Sequence, residues 1–314
     1  MLKKDQHMKY ALECKTKDTL ANIKLIYVSL PKVNIDEVDI KTKFCGLEFT
    51  YPFFINAMTG GSEKANVINR RLEYICKKLN IFFFSGSFSP ALKDASYYYP
   101  KGQGINIGAD KSVDEMKKAV EKTESKILQI HLNPIQEFMM LDGTTNFAKW
   151  NENIRLALEN IAVPIILKET GFGMSKQTLE KLKTMGVKTV DISSQGGTNF
   201  AYIEDRRRKL KREYLYDLGY NLKQSLINAQ EYMDDMEIIA SGGVENPLQI
   251  VKCLAMGAKA VGISGYILKL LEQKNDDEII SIFKQWIYEI KAIIAITDSK
   301  NLEELKNKWE DMKC

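Results

Sequence analysis

Eight short apolar runs recur along the chain, and nearly every one ends in a small cluster of polar or glycine residues. They are FFINAMTGG (53–61), IFFFSGS (81–87), GINIG (104–108), KILQIHLN (126–133), VPIILKE (163–169), VKTVDISS (187–194), EIIASGG (237–243) and AVGISG (260–265). Segments with helical spacing lie between them. In NVINRRLEYICKKLN the residues Ile68, Leu72, Ile75, Cys76 and Leu79 form one apolar face, and comparable stretches follow the third, fourth, fifth and seventh runs. Strands alternating with helices imply right-handed crossovers and a parallel sheet. Eight such units predict an α/β chain folded as a (β/α)8 TIM barrel, whose active site sits at the C-terminal ends of the strands. The residues that close the runs are therefore the first candidates for function.

Composition is compatible with one such domain over residues 1–314, with residues 1–50 as an N-terminal extension capping the barrel. The formal charge of +4, from 45 basic and 41 acidic side chains, is too small to argue for nucleic acid, though it accommodates an anion. No apolar stretch approaches the roughly 18 residues that span a bilayer, and MLKKDQHMKYALE lacks the apolar core of a signal peptide, so a cytoplasmic protein without membrane contact is expected. The five cysteines are odd in number and show no CxxC spacing, which fits reduced thiols rather than a disulfide framework or zinc site.

Five run endings carry chemistry. Ser241-Gly242-Gly243-Val244 and Ser264-Gly265 close the last two runs ahead of helical stretches. Glycines there let backbone N–H groups approach an oxyanion, the arrangement of a phosphate site, although tight turns use the same residues. Lys168 closes the fifth run, where a lysine can hold negative charge on a cofactor or, when desolvated, form a Schiff base. Asp191 to Asn199 closes the sixth with hydroxyls and glycines suited to a flat polar ring, a phosphate or a turn. The fourth ending, His131-Leu132-Asn133-Pro134-Ile135-Gln136-Glu137, is the densest. Alternation puts His131 and Asn133 on one face, and the lone carboxylate of Glu137 is able to hold Mg²⁺ only jointly with water and a substrate phosphate.

The segments KKDQHM, YVSLP, FINAMTGGS, NIGA, LQIHLNPIQE, LKETGFGMS, DISSQGGTNFAYIE and ASGGVENPLQIVKCLAMGAKAVGISG occur in this order, and along nearly the whole barrel the chain resembles the type 2, FMN-dependent isopentenyl-diphosphate isomerases. The resemblance implies interconversion of isopentenyl and dimethylallyl diphosphate by allylic proton transfer in isoprenoid biosynthesis, with reduced FMN, Mg²⁺, NADPH as reductant, and a homo-oligomer of four or eight chains. It implies cofactor contacts from Met58, Thr59, Gly60, Ser87, Asn106, Lys168, Ser193 and Thr198, with Gly242, Gly243, Val244, Ser264 and Gly265 around the FMN phosphate. Lys3, Lys4, His7, His131, Asn133 and Gln136 match substrate positions. His131, Gln136 and Glu137 match the catalytic group, with Glu137 the Mg²⁺ ligand.

Four cationic positions common in that family are altered: Gly86-Ser87-Phe88-Ser89-Pro90 replaces an arginine-bearing loop, residues 140–147 replace a PEGDR-like segment, an Arg-Lys pair is Lys3-Lys4, and Glu245 stands where arginine is frequent. Lysine replaces arginine as a point charge but not as a bidentate fork, so the diphosphate half of the site is the altered half. The alternatives are a diverged barrel that binds FMN and a prenyl phosphate without efficient turnover, or another FMN-dependent oxidoreductase. A hydroxyacid oxidase needs a histidine late in the barrel, and both histidines lie before residue 132. An IMP-dehydrogenase-like enzyme needs a cysteine in the sixth loop, and none is there. A Schiff-base aldolase would use Lys168. The basic stretch 206–214 reads either as a cover for an anionic substrate, a subunit contact or a solvated helical face.

Overall fold

All eight runs form strands of one parallel sheet in the computed structural model: β1 (Phe53–Ile55), β2 (Phe84–Ser87), β3 (Gly104–Gly108), β4 (Ile127–Leu132), β5 (Ile165–Glu169), β6 (Thr189–Asp191), β7 (Glu237–Ser241) and β8 (Ala260–Ile263). The structure describes residues 3–140 and 142–312, the side chain of Lys3 excepted. Each strand pairs with the next, and β8 returns to β1 with Val261 opposite Phe53. The seam between β1 and β2 closes through a bridge from Ile55 to Phe83 and the Ile55 N–H donating to the Phe82 carbonyl at 3.1 Å. The sheet is thus a barrel.

The helices begin at side chains that satisfy their free N–H groups. Ser62 caps α2 (Glu63–Leu79), a Ser112–Glu115 capping box starts α3 (Val113–Thr123), and Asn246 with Pro247 opens α9 (Pro247–Ala255). Ala65, Ile68, Leu72, Ile75, Cys76 and Leu79 bury one face of α2, as their spacing requires, and Asn80 ends it in the left-handed conformation (φ 55°). The outer ring also contains α5 (Ala148–Asn160), α6 (Lys176–Thr184), α8 (Leu222–Ala229), α10 (Gly265–Gln273) and α11 (Asp276–Ile296). Two short helices, α4 (Pro134–Met139) and α7 (Phe200–Asp205), sit instead in the loops after β4 and β6.

The barrel interior is apolar at one end and polar at the other. Phe54, Phe84, Ile127, Ile166, Ile239 and Ala260 fill the N-terminal end from within. A hairpin of Thr42–Phe44 and Leu47–Phe49 plugs that end, and Phe44 stacks on Phe49 at 4.1 Å between ring centroids. Each fully buried side chain of this size contributes about 1.5–3 kcal/mol, so the plug is a substantial part of the core. At the other mouth lies α1 (Lys3–Glu13), packed between α7 and α10. The first fifty residues therefore serve both ends of the barrel. Between these caps, Ile23–Leu25 pairs antiparallel with Trp309–Asp311 and ties the two ends of the chain together.

Among the described residues no helix is long and apolar enough to cross a membrane. Cys14, Cys45, Cys76 and Cys253 are free thiols, and Cys314 lies outside the described residues.

Candidate active site

A cleft opens at the C-terminal mouth under α1. One face of α1 roofs it, because Lys4, His7, Met8 and Ala11 recur at helical spacing and all line the cleft. Its floor and walls come from the strand endings. Met58 and Thr59 follow β1, Ser87 ends β2, Asn106 lies in β3, His131 in β4, Lys168 in β5, and Ser193 and Thr198 follow β6. The glycine side is made by Gly242, Gly243, Val244, Ser264 and Gly265.

The glycines are required by backbone proximity. Gly243 (φ 79°) lies against Gly196 (φ 141°), and a Cβ on Gly243 would fall 2.5–2.9 Å from the Gly196 backbone. Two loops are thereby brought together beside the N-terminus of α10, where free N–H groups and the helix dipole favour an anion.

Beneath the mouth runs a layer of buried polar groups. Lys168 donates to the Ser193 hydroxyl at 2.8 Å and to the Glu169 carbonyl at 3.0 Å, and its ammonium lies 3.3 Å from the Asp191 carboxylate. Asp191 is inaccessible to solvent and also accepts from the Asn56 amide (2.6 Å), the Ser241 hydroxyl (2.6 Å) and the Ser193 N–H (3.1 Å). Glu169 turns away from Lys168 and accepts from the N–H groups of Gly171 and Phe172, which shapes the loop bearing Thr170. Burial pushes the Glu169 carboxyl up to about 7 against the pull of those N–H groups. Burial also drives His131 down to about 4, with Lys4, Lys168 and Lys111 acting in the same direction and Asp110 opposing, so its ring is neutral at neutral pH.

Not every expected residue reaches the cleft. Gly60 lies behind it, against the Tyr99 hydroxyl and the Ser87 carbonyl. Gln136 lines the cleft from α4, but Asn133 and Glu137 do not; Asn133 donates to both of them, at 3.3 and 3.0 Å. The other Glu137 oxygen accepts from the Thr144 N–H at 2.7 Å and its hydroxyl at 3.2 Å. Among the described residues no group of three or more His, Cys, Asp and Glu side chains is arranged to hold a metal. The side chain of Lys3 lies outside the described residues.

The stretch 206–214 is not a helical face. It runs irregularly from the end of α7 into a 3-10 turn, Glu213–Leu215. Arg207 reaches back to Gln6 of α1 at 2.9 Å and to Glu204, and Arg212 lies over the Phe138 ring of α4 at 4.6 Å. It thus braces the roof. Glu204 also sits 2.8 Å from His7, whose ring burial nevertheless holds below its ordinary pKa. Glu245, in place of a frequent arginine, is paired with Lys269 at 2.7 Å and accepts from Thr16 at 2.7 Å, so the carboxylate beside the glycine loops is charge-compensated.

Residue types alone did not single out Asn56, Gln129, Glu169, Thr170, Asp191 or Glu204. Two of them, Asn56 and Gln129, carry a readable signal: each is a polar residue inside an otherwise apolar run.

Residues 109–311 match the family described as FMN-dependent dehydrogenase. The chain is 40% identical to the isopentenyl-diphosphate delta-isomerase of Streptococcus gordonii, covering 97% of this chain and 94% of that one. It is 41% identical to the enzyme of the same name from Streptococcus mutans, over 97% and 95% of the two chains. Among solved structures, the flavin-binding domain of baker's yeast flavocytochrome b2 superposes with a TM-score of 0.67 at 17% identity, over 98% of this chain and 84% of that one. A mandelate oxidase variant gives 0.65 at 11% identity, over 97% and 94%. At such identities these two likenesses speak to the fold.

Proposed function

The chain belongs to the isopentenyl-diphosphate delta-isomerase family, and from that premise we propose how its cleft divides the work of turning isopentenyl diphosphate into dimethylallyl diphosphate. The observation that carries the reading is that a chain about 40% identical to named isomerases over nearly its full length folds with a cleft at the barrel mouth, walled by glycine loops on one side and polar strand ends on the other.

FMN fits this cleft. Thr59 and Thr170 both line it, and each has a buried hydroxyl with no hydrogen-bond partner among the described residues, which a polar ligand atom would satisfy. Gly242, Gly243, Ser264, Gly265 and the start of α10 suit its phosphate, with Val244 packed beside them. Lys168, held by Asp191 and Ser193, would give the ring a fixed positive charge, and Met58, Ser87, Asn106, Ser193 and Thr198 would hold the ring beside it. Reduced FMN supplies proton transfer at carbon, a task that side-chain acids at neutral pH perform poorly. The protein's share is to hold ring and alkene together and exclude water, which α1 does by closing the mouth.

For the diphosphate, Lys4 of α1 is the cation at the cleft, Lys3 adds charge at the helix start, and His7 is fixed beside Glu204. Gln136 orients the substrate by hydrogen bonding and does not act as an acid. Glu137, which accepts from Thr144 and Asn133 and lies outside the cleft lining, would have to turn toward the cleft to give Mg²⁺ its single carboxylate, and water and the diphosphate would supply the other ligands. NADPH serves as reductant, and the enzyme acts in the cytoplasm as a homo-oligomer of four or eight chains.

The test follows the purified protein with isopentenyl diphosphate, Mg²⁺, FMN and NADPH by anaerobic NMR, beside a parallel incubation of the oxidised flavoprotein with 2-hydroxy acids. Dimethylallyl diphosphate without flavin reduction by the acids supports the isomerase reading. Flavin reduction by a 2-hydroxy acid and no isomer would replace it with an oxidase.

A further inference from the structure

The polar layer under the cleft contains a directional file of hydrogen bonds. It starts at Asp191 of β6 and ends at His131 of β4, through three amides contributed by the end of β1, by β4 and by β3. An ionised carboxylate only accepts, so Asn56 must present its NH₂ group to Asp191, at 2.6 Å. The Ala57 N–H donates to the other end of the same amide at 2.9 Å, which independently identifies that end as oxygen. Gln129 must then give its own NH₂ to the Asn56 oxygen, at 3.0 Å, and turn its carbonyl to the Asn106 NH₂ at 3.4 Å. The Asn106 oxygen is left facing His131 Nδ1 at 2.6 Å. An oxygen there requires a proton on Nδ1. Asn56 and Gln129 are fully buried and Asn106 nearly so, hence flipping any one amide would leave a buried donor facing a donor, at about 1–3 kcal/mol for each unsatisfied group.

We propose that this file of amides is a tautomer lock: it holds His131, whose ring lines the cleft, as the Nδ1–H form and leaves Nε2 as the ring's hydrogen-bond acceptor. Free neutral imidazole in water favours the opposite tautomer, so the lock sets a state that His131 would not otherwise prefer. Asn56, Gln129 and Asp191 are its positioning residues. The consequence is selective. A ligand atom meeting Nε2 must be a donor, an N–H or O–H, and a phosphate oxygen is repelled by the lone pair. On the reading of a reduced flavin and a diphosphate in the cleft, Nε2 is matched to the ring's N–H groups or to water, and the diphosphate is left to the cations of α1. Asp191 would thereby serve both ends of the layer, as the counter-ion of Lys168 and as the origin of the file.

The test is ¹⁵N NMR of histidine-labelled, flavin-free protein, which reads the protonated ring nitrogen directly and requires no turnover. The chain has two histidines, and loss of one signal set in His131→Asn assigns the other to His7. Wild type is expected to show Nδ1–H at His131. Gln129→Leu, outside the cleft lining, frees Asn106 to rotate and converts the single tautomer to a mixture. Gln129→Glu keeps an acceptor facing Asn106 and keeps Nδ1–H. An Nε2–H wild type overturns the lock, and so does a Gln129→Leu spectrum unchanged from wild type. If Gln129→Leu fails to fold, the wild-type and Gln129→Glu spectra still decide. Failure of isomerase activity would leave these spectra unaffected, which separates the two claims.

Discussion

The Lys168 ammonium and the Asp191 carboxylate stand 3.3 Å apart across neighbouring strand ends, both almost wholly removed from solvent. Their dependence on one another is unequal. Asp191 retains three neutral donors if the lysine is lost, from Asn56, Ser241 and the Ser193 backbone, whereas Lys168 without the carboxylate keeps its charge beside two weaker acceptors. Removing one partner of a buried pair costs about 3–5 kcal/mol. Asp191→Asn is expected near the top of that range and Lys168→Met below it, as read from thermal melts of the flavin-free proteins. Equal losses would contradict this division.

Gly243→Ala is expected to weaken FMN retention by tenfold or more. The residue sits at φ 79° and its Cβ would meet the Gly196 backbone. A left-handed alanine costs roughly 1–2 kcal/mol before any clash, and every 1.4 kcal/mol is a factor of ten in affinity. Flavin fluorescence titration measures it; unchanged affinity would remove these loops from the phosphate site.

The eight strands were legible because each is a short apolar run with a polar or glycine ending, and a barrel places such endings together. The strand-end residues of the cleft followed from the same pattern. Asn133 and Glu137 were legible as chemistry but not as cleft lining, since Asn133 donates to Gln136 and Glu137 at the start of α4 and Glu137 accepts from Thr144. Asp191 and Glu169 were hidden for another reason. The importance of Asp191 comes from partners on other strands, Lys168 and Asn56, which no local spacing records, and that of Glu169 comes from the N–H groups of Gly171 and Phe172 in its own loop. The pairing of Glu245 with Lys269, 24 residues away on α10, is likewise a product of the fold.

Glu137→Gln is expected to abolish Mg²⁺-dependent isomerisation while leaving FMN bound. The amide loses the charge that a hard cation needs but still accepts from Thr144. Activity assayed across a Mg²⁺ series, with bound flavin measured by absorbance, checks both halves. Wild-type activity in the variant would take Glu137 out of the metal site.

Two buried groups should give stability opposite pH slopes. Glu169, raised to about 7, holds its proton in the folded chain after the unfolded chain has lost it, so its contribution falls as pH rises from about 4.5 to about 7. His131, lowered to about 4, is neutral when folded and protonated when unfolded, so its contribution is present above about 6.5 and lost as pH falls toward 4. Each shift corresponds to roughly 3 kcal/mol. Denaturant melts across pH 4–8 should show Glu169→Gln steepening the rise of stability with pH relative to wild type, and His131→Asn flattening it. No change of slope in either variant would mean that these groups are solvated in the folded protein.

The most direct test of the account is an anaerobic assay of the purified protein with isopentenyl diphosphate, Mg²⁺ and FMN, with and without NADPH, following dimethylallyl diphosphate by NMR. Product that appears only when the flavin is reduced is the predicted result. Flavin that binds and is reduced while no product forms would contradict it, and would make this barrel a binder of FMN rather than an isomerase.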